Sequence, residues 1–127
     1  MRFYSPNFRG LHFHASMKES EILNLLPTPI GYIDRDLIYQ YVNVAYERSI
    51  GKPSSAIVGK HVSEVLGEQA LHNVQPHVDV VLSGRQVKFN NTLQTPSGTK
   101  NLEVTFTPDI DGQGQVRGFS TLVHLLS

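Results

Sequence analysis

The chain contains no cysteine and no tryptophan. The first absence excludes a disulfide framework, a thiolate metal site and a cysteine nucleophile. Neither charge is in excess: eleven Lys and Arg stand against eleven Asp and Glu, a formal net charge of zero with histidine neutral. Phosphate neutralisation needs a clustered basic surplus, so this balance argues against a nucleic-acid binder. No run approaches the roughly 18 uninterrupted apolar residues of a membrane helix. The opening Met1-Arg2-Phe3-Tyr4-Ser5-Pro6 has no apolar core followed by a cleavage site, so it is not a secretion signal. What is there is 127 residues, 39% hydrophobic and 17% charged. That is one domain, long enough to bury roughly two thirds of its unfolded surface. A cytoplasmic location is the expectation.

Residues 1–15 mix aromatics, Gly10 and a His12-x-His14 pair without periodicity and read as an N-terminal extension. Residues 16–27 read as a flanking helix. Ser16 and Glu19 have the spacing of a capping box, Ile22, Leu25 and Leu26 recur at helical intervals, and Pro27 and Pro29 stop the helix. The core is expected over 28–127. It opens with strands Ile30–Asp34 and Leu37–Asn43 around a tight Arg35-Asp36 turn. Asn43 is placed to cap a helix from Val44 to about Ile50, closed by Gly51. Ser54 is expected to cap a further turn, and His61 to Leu66 forms another short helix. A longer helix runs from Glu68 to Ser83, with a kink or break expected at Pro76, which cannot donate to the carbonyl of His72.

The last third reads as sheet. Val87, Phe89, Asn91 and Leu93 alternate with polar residues, Thr95-Pro96-Ser97-Gly98 is a turn, and Leu102, Val104 and Phe106 continue the alternation. A loop over Pro108 to Gln115 leads to a final strand in which Phe119, Thr121, Val123 and Leu125 share a face. Helix, two strands, several short helices and three strands make an α+β domain with helices on one face of an antiparallel sheet.

That order, with particular residues, resembles the PAS family of sensory domains. The resemblance is carried by Pro29-Ile30-Gly31-Tyr32-Ile33-Asp34, Ile38-Tyr39-Gln40-Tyr41-Val42-Asn43, Ala45-Tyr46, Ile57-Val58-Gly59-Lys60, Val81-Leu82-Ser83-Gly84, Pro96-Ser97-Gly98 and Val116-Arg117-Gly118-Phe119. It implies a five-stranded antiparallel sheet wrapped by short helices around a small cavity, with an N-terminal flanking helix. It also implies a sensory or dimerising module of a bacterial signal-transduction protein, such as a sensor histidine kinase of a two-component system or a diguanylate cyclase. A homodimer is expected, joined through the 16–26 helix and the outer sheet face, where Tyr39, Tyr41 or their alternates leave apolar surface.

Residues with chemistry of their own are present as well. Ser120 in Gly118-Phe119-Ser120-Thr121-Leu122 lacks the second glycine of a nucleophile elbow. Asp109-x-Asp111-Gly112-x-Gly114 has a calcium-loop look, but Ser120 stands where the twelfth-position carboxylate belongs, so a surface turn is expected. His12 and His14 have no third ligand nearby, and His72 and His77 lie about 140° apart around a helix, so no metal is assigned. Haem-binding PAS domains use a histidine on this helix, and His72 falls about one residue from that position. Haem through His72 is disfavoured. Flavin is disfavoured too, because His61-Val62 stands where the light-sensing branch carries its cysteine, and Val123 where it carries a glutamine. The cofactor is left unknown.

If the alternating sheet face meets the helices, Phe89, Asn91, Leu93, Leu102, Val104, Phe106, Phe119, Thr121 and Val123 point inward. Most of these are core. Asn91 and Thr121 are polar where the pattern demands apolar, and with nearby His61 they are the candidate polar end of a small-molecule pocket. The candidate ligand-binding set is therefore His61, Phe89, Asn91, Leu93, Val104, Phe106, Phe119, Thr121 and Val123. No catalytic residue is assigned, and the chain is read as non-enzymatic. The alternatives are a small cone-shaped isomerase or hydratase, which needs an inward Asp or Glu beside a Tyr or His, and a ligand-free structural dimerisation domain. The inward alternation offers no carboxylate.

Overall fold

The computed structural model describes residues 19–95 and 97–126. The N-terminal extension, the His12-x-His14 pair and the Ser16 cap lie outside the described residues. A helical segment over residues 19–24 (α1) leads to strands β1 (Ile30–Asp34) and β2 (Tyr39–Val42). Helix α2 (Val44–Ile50), a 3₁₀ turn (Ser54–Ala56), α3 (Val62–Leu66) and α4 (Glu68–Leu82) follow. Three long strands close the domain: β3 (Val87–Thr95), β4 (Gly98–Ile110) and β5 (Val116–Leu125).

The strands form one sheet in the order β2-β1-β5-β4-β3, antiparallel at every junction. The first and last strands meet at its centre, Gly31 opposite Thr121 and Ile33 opposite Phe119. The segment from α2 to α4 covers one face. Ile33, Tyr39, Val42, Tyr46, Ile57, Val62, Val78, Val81, Val104, Phe106 and Phe119 make a continuous core between sheet and helices. Each large apolar side chain buried there contributes roughly 1.5–3 kcal/mol.

Asn43 ties the N-terminal half together. Its side-chain carbonyl accepts from the Tyr46 and Ile30 N–H groups, and its amide donates to the carbonyls of Leu23 and Thr28. The helix cap expected of Asn43 is one of four bonds that also anchor the segment leading out of α1. The Asn24 side chain adds to the joint by accepting from the Val44 N–H.

Several elements depart from the sequence pattern. The second strand begins at Tyr39, because Leu37 adopts a left-handed conformation (φ 65°) that ends extension. A register shift next to Tyr32/Ile33 then puts both Tyr39 and Val42 on the inner face and leaves Tyr41 outside. Tyr39 is fully buried and does not contribute to the outer surface. Ser54 does not cap its turn; its N–H donates to the Glu47 carboxylate. Helix α4 runs through Pro76 without a break, since Pro76 and His72 are both exposed and water can reach the carbonyl left unpaired. The loop expected over 108–115 is shorter. Strand pairing continues through Asp109 opposite Gly118 to Ile110 opposite Val116, and the Asp111 carboxylate closes the turn by accepting from the Gln113 and Gln115 N–H groups.

Candidate functional site

Period-two alternation on β3, β4 and β5 aims Phe89, Asn91, Leu93, Leu102, Val104, Phe106, Phe119, Thr121 and Val123 at the helices. They form the floor of a hollow of about 650 Å³. Its roof comes from Ala45, Tyr46 and Ser49 of α2, Val62 and Leu66 of α3, and Ala70, Leu71, Val74 and Val78 of α4. Gly31 keeps room beside Thr121: a Cβ there would sit 3.2 Å from the Thr121 methyl group and 3.4 Å from the Tyr41 carbonyl.

Aromatic rings cross the floor in sequence. The His77 imidazole stacks flat on Phe89 at 3.9 Å between centroids, Phe89 meets Phe106 edge-on at 5.1 Å, and Phe106 leans on Phe119 at 4.8 Å. Such pairs fix ring orientation as well as adding burial. The sheet side of the hollow is therefore a stiff surface.

Polar groups on the wall are few. Thr121 is buried at the sheet centre. Asn91 is half-buried, and its side-chain carbonyl accepts from the Thr92 N–H. Tyr39 and Tyr46 both reach the hollow, with their hydroxyls 2.6 Å apart. Burial raises the pKa of each phenol. The neighbouring Tyr46 pushes Tyr39 further up, and the bond from Tyr39 partly offsets the rise at Tyr46. The pair is neutral over the physiological range. One hydroxyl donates to the other, so one O–H hydrogen is left over for a further acceptor. No Asp or Glu lines the hollow among the described residues. An isomerase or hydratase acting there would lack its carboxylate base.

The candidate residues read from sequence are brought together with one exception. Phe89, Asn91, Leu93, Val104, Phe106, Phe119, Thr121 and Val123 all line the hollow. His61 does not. It precedes α3, where its Nδ1 accepts from the Ser63 N–H while the Glu64 carboxylate accepts from the His61 N–H. Sequence reasoning missed the two tyrosines, although both belong to the segments that carried the resemblance. Alternation left open whether Tyr39 and Tyr41 or their neighbours face outward, and the register shift turns Tyr39 inward. His72 is exposed on α4 and absent from the wall. Among the described residues no three His, Asp or Glu side chains are grouped to hold a metal ion.

Residues 23–126 match the model of the PAS fold, and the chain belongs to that family. Its members are in general sensory modules rather than enzymes. None of the functionally curated proteins matches the sequence. Among solved structures, the chain resembles the PAS domain of Bordetella pertussis BvgS, with 18% identity, 90% of this chain and 88% of that one covered, and a TM-score of 0.73. It also resembles Vibrio cholerae VqmA bound to DPO, with 24% identity over 87% of this chain and a TM-score of 0.73. Only 57% of that VqmA chain is covered, so this chain spans little more than half of it. A third likeness is the PAS domain of an HTR-like protein from Haloarcula marismortui, with 19% identity, 89% of this chain and 98% of that one covered, and a TM-score of 0.65. At these identities the likeness concerns the fold.

Proposed function

We propose that this PAS-fold chain is a non-enzymatic sensory module that takes a small, largely apolar molecule into the hollow and relays its presence to an attached or partner effector. The observation that carries the reading is the hollow itself. A core of this size normally closes to crystal-like density, with few voids larger than a water molecule. Here about 650 Å³ stays open beneath the helices, a volume typical of small-ligand sites. Thr121, Asn91 and the tyrosine pair supply the few polar points that would orient a guest. VqmA bound to DPO is a protein of the same fold holding a small molecule, which supports the reading by analogy.

The relay runs through α1 and the outer sheet face. Ile22 on α1 and Leu25 just after it are 59% and 81% exposed, and Leu122 on the outer face of β5 is 41% exposed. A homodimer formed through this surface would cover them. The effector is a histidine kinase, a diguanylate cyclase or a similar output domain of the signalling protein. Membrane insertion plays no part in the scheme; no helix among the described residues is long and apolar enough to cross a bilayer.

Nile red, a neutral apolar dye, tests the hollow. Its fluorescence should rise on binding the chain, and Val123→Phe, which adds bulk to the wall of the hollow, should abolish the rise. An unchanged response in a folded Val123→Phe variant overturns the reading. Sedimentation tests the dimer: Leu25→Glu should shift the chain toward monomer.

A further inference from the structure

Arg48 and Lys100 are the charged side chains on the wall of the hollow among the described residues, and both are cations. Arg48 shares the inner face of α2 with Ala45 and Ser49, at the i, i+3, i+4 spacing that puts side chains on one stripe. Lys100 lies opposite Leu93, near the β3–β4 turn, and is half-buried. Among the described residues neither has an acidic partner. The single ion pair among the described residues joins Arg117 to Asp109, on the outer side of the sheet.

Register places Lys100 at the open end, and Arg48 is an exposed residue in the last turn of α2. Leu125 pairs with Leu102, two residues beyond Lys100, and is 55% exposed. The Val123 N–H donates to the Pro29 carbonyl, and Asn43, which starts α2, bonds to the Ile30 N–H. The start of α2, the start of β1, the end of β5 and the β3–β4 turn therefore meet at one end of the domain. Phe119, Ile33 and Tyr39, deeper along the lining, are each 5% exposed or less. Among the described residues the wall of the hollow carries two positive charges and no negative one, with Lys100 at the mouth.

We infer that the natural guest is an amphipathic acid: an apolar body that fills the interior and a carboxylate head drawn to the cations of the wall, Lys100 at the mouth and Arg48 on α2. The inference rests on the sensory-hollow reading above and narrows its ligand class. A guanidinium offers a planar fork that matches a carboxylate, and an ammonium adds a point charge. A neutral guest would leave Lys100 half-buried beside it without a counter-charge, whereas an anionic one supplies the missing partner.

Titration of the full chain with octanoate and with octanol, both below aggregating concentrations, tests the inference. These probes share the apolar body and differ in the head. Octanoate should bind about tenfold more tightly, the scale expected of two partly solvated charge contacts. High salt should shrink that preference, and Arg48→Gln with Lys100→Gln should bring octanoate down to the affinity of octanol. Equal binding of the two probes, or a preference that survives in the double variant, overturns the acid assignment and leaves the hollow as a site for neutral guests. Binding of neither probe, or binding that Val123→Phe leaves intact, removes the sensory-hollow reading as well.

Discussion

The hydroxyl groups of Tyr39 and Tyr46 lie 2.6 Å apart, with their rings edge-on at 5.8 Å between centroids, at the buried junction of β2 and α2. Removing one partner strands the other. Tyr46→Phe leaves the Tyr39 hydroxyl buried without its partner and should cost about 1–3 kcal/mol in urea unfolding. Tyr39→Phe should cost a similar amount. The double variant, which removes both polar groups and keeps both rings, should be less destabilised than the sum of the singles. Strict additivity would show that the two hydroxyls do not sense each other.

The same pair makes the fold labile in alkali. Both phenols have pKa values raised above the usual 10.0 by burial. Their stabilising contribution is complete below the unfolded-state pKa and is lost as pH rises above about 10, because the unfolded chain then releases protons that the folded chain retains. Tyr32 adds to the effect. Burial raises its pKa, and so does the 2.6 Å bond it donates to the Asp109 carboxylate. Urea midpoints should fall steadily above about pH 10. The Tyr39→Phe, Tyr46→Phe double variant should show a shallower decline, and a slope as steep as that of the wild type counts against the assignment.

Asn43→Asp separates the roles of its four bonds. A carboxylate can still accept from the Ile30 and Tyr46 N–H groups, but it cannot donate to the Leu23 and Thr28 carbonyls. Helix α2 should persist while α1 loosens. Amide exchange across residues 19–28 should accelerate well before exchange in α2, and uniform acceleration across both would show that Asn43 does not act as the joint.

Gly118→Ala probes a close approach between strands. A Cβ on Gly118 would lie 2.5 Å from the Ile33 carbonyl oxygen and 2.8 Å from the Tyr32 hydroxyl, closer than real contacts allow. The backbone of β5 would have to move, with an expected cost of at least about 1–3 kcal/mol. Gly112→Ala, with nothing within 4 Å, is the matched control and should be close to neutral. Thermal unfolding of the two variants reads the difference directly.

Much of the fold was legible because the last three strands obey period-two alternation over long stretches. That pattern alone put Phe89, Val104, Phe106, Phe119 and Thr121 on one face, where they lie. Gly51 and the Thr95–Gly98 turn marked chain reversals for local steric reasons, and Asn43 announced a helix start through its short acceptor side chain. The second strand was legible only in outline. One left-handed residue, Leu37, and one register shift decide that Tyr39 faces the core, and neither event leaves a trace in hydropathy.

His61 shows the same limit from the other side. Its nearness to Asn91 and Thr121 was an inference across the chain, whereas its cap on α3 is a contact between neighbours. Composition, alternation and local capping are properties of short segments, and the amino-acid sequence determined them by itself: one cysteine-free α+β domain, its strands, and the apolar face of its sheet. The size of the hollow, the meeting of Tyr39 with Tyr46 and the placing of Arg48 and Lys100 around one hollow depend on how separate segments stack. Only the tertiary structure decided those, because they arise from volumes left between elements rather than from any pattern along them.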